Sequence, residues 1–348
     1  MLVFYLVIIC SLFIGLKADP SGFYEDALGR KQTDAVKGLF ILMVFLSHVI
    51  LEIQASGFRP VGVTNLVGFR IRSELGQLVV VLFFFYSGYG VMEAIKNRGE
   101  EYLDHFPRRR ILTTLLNFDV AVICYVILNL LMGVSMDMRK IGGAFIGWDS
   151  IGNSNWYIFV ILYCYFITWI SGMLFPKSNI GVLLMTIILA LAGEVVLSFL
   201  KQDQARWYNT LLCYPAGMVL SVYKEKVLAF FKRFYWYVFG FLLVFFLFLH
   251  IQRGIPTLRG LTYNAKSIVF CFLVVLITLK IKTGNRFMYW VGDSVFPIYI
   301  YQRLPMRAFR HWAGDAWICS NPYLFILLCA AITGLIAFFY KNWQIKLQ

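Results

Sequence analysis

The chain has 348 residues, of which 60% are hydrophobic and only 14% charged, with a mean hydropathy of +0.73; that balance belongs to polytopic membrane proteins and leaves no tail or linker long enough for a second, soluble domain. The net charge of +14 is read as topology and as contact with anionic lipid head groups, so no nucleic-acid partner is predicted. The seven cysteines are scattered, six of them inside apolar runs, and with no Cys/His spacing of a zinc site neither a disulfide framework nor a metal is predicted.

In chain order, eleven apolar runs fall at approximately 2–16, 34–54, 75–95, 111–133, 156–174, 179–200, 207–222, 234–251, 264–280, 288–304 and 322–340, against the ~20 residues that a helix needs to cross a bilayer. No strand-like alternation competes with them. The expected fold is an all-α, polytopic transmembrane helix bundle of about ten core helices plus one N-terminal helix. It forms one membrane-embedded domain over 1–348, with 1–32 as an added helix and loop and 33–348 as the core. The first run has no basic segment before it, and the KADPSG that follows lacks a small-x-small cleavage site, so it is read as a retained helix. Placing loop 17–37 in the cytoplasm puts 19 of the 32 Lys and Arg on that side and 13 on the other, with the C-terminus cytoplasmic. The two halves share no broken-helix pattern of an inverted-repeat transporter.

The second run, DAVKGLFILMVFLSHVILEI, carries Lys37 and His48. Membrane spans exclude ionisable groups that have no task. Eleven helical steps bring the two residues to within roughly 20° of one face, ~16 Å apart along the axis. Glu52, one turn beyond His48, shares that face; it is read either as a carboxylate that orients the imidazole or as a lone interfacial acid. Arg70 and Arg72 precede the third run on the opposite side, where they meet an anionic acceptor or the membrane surface. Ser87-Gly88 lets a backbone or a thin ligand come close. Arg108, Arg109 and Arg110 open the fourth run, as phosphate ligands or as positive-inside anchors. Asn117, Asp119 and Glu194 lie inside runs and are candidates for lining a channel. The loop GWDSIGNSNW offers Asp149, Asn155 and Trp156 for stacking on sugar faces and bonding hydroxyls, a composition that interfacial aromatic belts share. In the tenth run the hydroxyls of Ser294 and Tyr299 bond an acceptor or a neighbouring helix.

Lys37-(x10)-His48, then FFFYSGYGV (83–91), FPRRRIL (106–112), NWYIFVILYCY (155–165) and WVGDSVFPIYIYQ (290–302) resemble, in order and spacing, the motifs of the acyltransferase-3 family of integral-membrane O-acyltransferases. The resemblance implies a bacterial cell-membrane enzyme that moves an acyl group, usually acetyl, from cytoplasmic acetyl-CoA to a hydroxyl of an extracytoplasmic polysaccharide or its lipid-linked precursor. Three positions depart from the family pattern: Lys37 stands where Arg is commoner, Thr113 where a further Arg often follows, and Gln302 where many members carry His. On this reading His48 is the base, or itself takes the acyl group, with Glu52 beside it. Lys37, Arg108, Arg109, Arg110 and Ser87 hold the donor; Asn155, Trp156, Asp149, Ser294, Tyr299 and Arg72 hold the saccharide. Two other classes would make different use of these residues. A glycan-lipid flippase or exporter would use the intramembrane charges without CoA chemistry, and a polysaccharide polymerase would need a large outer loop that this chain lacks.

Overall fold

The computed structural model describes residues 1–252, 259–283 and 285–347. The helices, in chain order, are α1 (Leu2–Phe13), α2 (Arg30–Ala55), α3 (Val63–Leu75), α4 (Leu78–Phe106), a π-helical turn (Pro107–Leu112), α5 (Thr113–Leu131), α6 (Met138–Phe145), α7 (Trp156–Leu174), α8 (Asn179–Leu200), a 3-10 turn (Ala205–Trp207), α9 (Cys213–Val222), α10 (Lys224–Arg233), α11 (Tyr235–Ile251), α12 (Arg259–Lys280), α13 (Arg286–Asp293), α14 (Val295–Tyr301), α15 (Arg303–Trp312), α16 (Asp315–Ser320) and α17 (Pro322–Trp343). The strands among the described residues are two short ones, β1 (Lys17–Ala18) and β2 (Ile281–Lys282), paired antiparallel with Lys17 opposite Lys282. The expected all-α helical bundle is what the chain forms.

The number of full-length crossings is smaller than the eleven apolar runs. Among the described residues six helical stretches are long and apolar enough to span, and a seventh if α10 and α11, bent by 98°, count as one. The differences have local causes. The run at 2–16 makes a helix of only 12 residues, which ends before Gly15 at φ +74°. The run at 288–304 is divided among α13, α14 and α15, because Pro297 and Pro305 lack an N–H and their rings crowd the carbonyls of Asp293 and Tyr301 four residues back. The runs at 75–95 and 111–133 belong to one 69-residue helical stretch, Val63–Leu131, which would be ~100 Å long if straight, over three times a bilayer core. Gly99, at φ +54°, and the π-helical turn bend it.

Two glycine contacts set the frame of the interior. Gly38 of α2 and Gly292 of α13 face each other so closely that a Cβ on Gly38 would run into the Met288 carbonyl, and one on Gly292 into the carbonyl of Asp34. This seats the WVGD segment on α2 and brings Asp293 to Arg30. Likewise a Cβ on Gly88 of α4 would meet the Tyr214 carbonyl, and one on Gly217 of α9 that of Phe85. Close helix packing is therefore the use of Gly88.

Candidate active site

Around the Lys37 end of α2 the helices leave a cavity of about 640 Å³, a size typical of small-molecule sites. Its wall takes Lys37 from α2, Ser87 from α4, Arg110 from the π-helical turn, Tyr157 and Tyr165 from α7, Asp293 from α13 and Tyr299 from α14. A second cavity of about 550 Å³ adjoins it, sharing Arg30, Arg110, Thr114, Asp293 and Phe296 and adding Arg109, Lys341 and Lys346. Six cations (Arg30, Lys37, Arg109, Arg110, Lys341, Lys346) face two carboxylates (Asp34, Asp293) across the pair. Lys37 Nζ is 2.6 Å from Asp34 Oδ1; Arg30 and Lys341 hold the two oxygens of Asp293 at 3.3 and 2.8 Å. Arg110 donates through Nε to the Tyr102 hydroxyl (3.2 Å) and leaves the rest of its fork to the cavity.

The three consecutive arginines therefore separate. Arg110 lines both cavities, Arg109 the second, and Arg108 neither. Ser87 is at the wall, with its hydroxyl 3.5 Å from that of Tyr165. Ser294 is corrected in position: it lines the second cavity beside Arg109 and Arg110, at the end where the donor was expected and away from the one assigned to the acceptor. The break between α13 and α14 at Ser294 turns it there.

Tyr299 is the link to His48. Its ring lines the larger cavity, stacks edge-on against Tyr157 at 5.2 Å, and lies 6.4 Å from the imidazole. His48 thus stands behind Tyr299 and outside the cavity wall itself. The residue is half-buried, with Nδ1 of its ring shielded from solvent. Its Nδ1 has no hydrogen-bond partner, Gln302 faces it, and Arg303, Arg72 and Arg206 place positive charge in its surroundings. The Tyr299 hydroxyl is likewise buried and without a partner.

Glu52 does not serve the imidazole as expected. It is buried and accepts from Arg303 Nη2 at 2.7 Å and Arg310 Nη1 at 3.4 Å. Those two guanidiniums take up both its oxygens, so the triad-like pairing does not form. Three of the expected saccharide contacts turn inward as well. The Asn155 carboxamide is buried and donates to the Gly147 carbonyl (2.9 Å), which closes the loop on itself. Trp156 packs against Phe84 and Tyr157. Asp149 packs so tightly on Gly143 that a Cβ there would strike its carboxylate. The neighbouring Trp148 is covered by Lys201, whose Nζ sits 3.8 Å from the ring centroid. Arg72 is held beside α2 by the Ser47 carbonyl (3.3 Å) and the Gln54 side chain (3.1 Å). Of the intramembrane polar residues, Asn117 bonds both the N–H and the C=O of Ile345 and so ties down the C-terminal segment (2.9 and 2.8 Å), and Glu194 accepts from Asn264 (2.6 Å).

Arg303, Arg307, Arg310 and Tyr157 belong to the site region without having been singled out in the sequence. A signal for the arginines was present: in RLPMRAFRHW they recur at i, i+4 and i+7, one face of a helix.

A multi-pass helical membrane protein with a cationic cavity walled by Tyr299, behind which an interior imidazole stands, is the class that this fold and site define. Residues 30–341 match the acyltransferase domain of the acyltransferase-3 family, and the chain belongs to that family. It is a membrane acyltransferase. No curated protein and no solved structure matches the chain.

Proposed function

We propose that the protein is an O-acetyltransferase of the bacterial cell membrane, taking acetyl from cytoplasmic acetyl-CoA to a hydroxyl of an extracytoplasmic polysaccharide or its lipid-linked precursor. The observation that carries this reading is the paired cavity at the Lys37 end. Cations outnumber carboxylates six to two there, as a polyphosphate donor requires, and the wall ends at Tyr299 against His48. Lys37, Arg109 and Arg110 hold the phosphates, and the tyrosine-rich wall receives the pantetheine arm. We assign this end, where the start of α2, the π-helical turn and the C-terminal residues gather their cations, to the cytoplasm, as a cytoplasmic donor needs.

An alcohol attacks a thioester poorly unless its proton is removed as the new C–O bond forms, and the partnerless Nδ1 of His48 is free to accept that proton. The C–S bond then breaks, and the departing thiolate takes the proton back. Acetyl-CoA should raise the melting temperature of the detergent-purified protein, as any ligand of the folded state does. An unchanged melting temperature at saturating acetyl-CoA would refute the donor assignment and favour a carrier without CoA chemistry.

A further inference from the structure

Beyond His48, at the Glu52 end, the fold gathers five arginines from three elements: Arg72 of α3, Arg206 of the 3-10 turn, and Arg303, Arg307 and Arg310 along one face of α15. Their carboxylate partners among the described residues are Glu52, shared by Arg303 and Arg310, and Asp315, 3.0 Å from Arg310. The others rest on neutral oxygens: Arg72 on Ser47 and Gln54, Arg307 on Asn129 (2.7 Å), Arg206 on Gln204 (2.9 Å). The Nε groups of Arg303 and Arg307 are buried and unpartnered. Arg303 is within Coulombic range of both Arg206 and Arg307, and Arg307 of Arg310. Like charges held close together in a partly shielded setting repel, and the repulsion is relieved when an anion enters among them. Partial burial, more than any neighbour, lowers the pKa of the Arg206 guanidinium, and Arg303 adds to the effect.

Arg72 donates to the carbonyl of Ser47, next to His48 in the chain, and Arg303 to Glu52, one helical turn beyond it; with Arg206 they place positive charge around the imidazole, where an acceptor hydroxyl must come. A guanidinium is a rigid fork whose geometry matches a carboxylate or a phosphate. We infer that the acceptor is an anionic alcohol, with a carboxylate or phosphate near the reacting hydroxyl that Arg206, Arg303 and Arg72 bind beside His48. This rests on the acyltransfer reading of His48 and names the substrate class for it.

The full chain, purified in detergent, is to be titrated by thermal unfolding with methyl glucuronoside, glycerol 3-phosphate and the neutral methyl glucoside at matched ionic strength, with acetyl-CoA as a separate arm. We expect at least one anionic probe to bind about tenfold more tightly than the glucoside, and Arg206→Gln, in an exposed turn, to remove most of that preference. Arg72→Gln gives a second variant that leaves Glu52 paired. A response to the uronoside alone identifies a uronate-type acceptor, and one to glycerol phosphate alone a phosphate-bearing one. Equal binding of all three probes, or of none, overturns the inference while stabilisation by acetyl-CoA leaves the donor reading standing. An anion preference that survives both substitutions also overturns it. Anion preference without acetyl-CoA stabilisation overturns the acyltransfer reading, and the acceptor assignment falls with it.

Discussion

The two ends of α2 are both rich in cations, and they handle that charge in opposite ways. At the Lys37 end the cations border open space, and Asp34 and Asp293 pair with only some of them. At the Glu52 end the arginines are packed among protein groups around one buried carboxylate. Open, partly paired charge suits a polyphosphate that arrives and leaves many times. Enclosed charge is part of the architecture first, and whatever it binds must fit between guanidiniums already fixed in place. His48 lies between the two regimes, so its removal has the largest expected effect. His48→Ala should lower acyl transfer by about a hundredfold or more, the usual contribution of a positioned base, without lowering the melting temperature in the presence of acetyl-CoA. Full transfer activity in that variant would place the chemistry elsewhere.

The enclosed end predicts a loss of stability. Glu52→Gln leaves Arg303 and Arg310 facing each other without the carboxylate they share, at a cost of about 2 kcal/mol, below the figure for fully buried pairs because both arginines are partly accessible. The melting temperature should fall, and the double variant Glu52→Gln/Arg303→Gln should recover part of the loss, a non-additivity that a double-mutant cycle reads directly. Additive losses would mean that the pair is not coupled.

The Lys37 end was more legible in the sequence than the Glu52 end, for physical reasons. Lys37 and His48 lie on one unbroken helix, where 100° per residue suffices to place them, and Ser87 and the arginine triplet sit at helix positions whose depth hydropathy fixes. The Glu52 end depends on how separate elements meet. The engagement of Glu52 by Arg303 and Arg310 spans more than 250 positions of sequence. The inward turn of Asn155 depends on Gly147 adopting a positive φ of 74° in the loop that its carboxamide closes. Ser294 sits at a break between two helices inside an apolar run that hydropathy alone reads as continuous. Composition cannot distinguish a loop that offers its Asn and Trp to a sugar from one that spends them on itself.

The smallest predicted effect is also the most discriminating for the open end. Arg108, Arg109 and Arg110 are alike in sequence, but only Arg110 lines both cavities, whereas Arg108 lines neither and contributes its backbone carbonyl to Thr113 (2.9 Å). If charge there simply anchors the protein to anionic lipid, the three are interchangeable. If it holds a donor phosphate, Arg110→Gln should raise the KM for acetyl-CoA about tenfold with little change in kcat, the signature of lost ground-state binding. Arg108→Gln should leave both constants near their starting values. Arg109→Gln, which touches only the second cavity, should fall between them. Equal effects at all three positions would assign the triplet to the membrane surface and leave Lys37 as the cation nearest the donor's path to Tyr299 and His48.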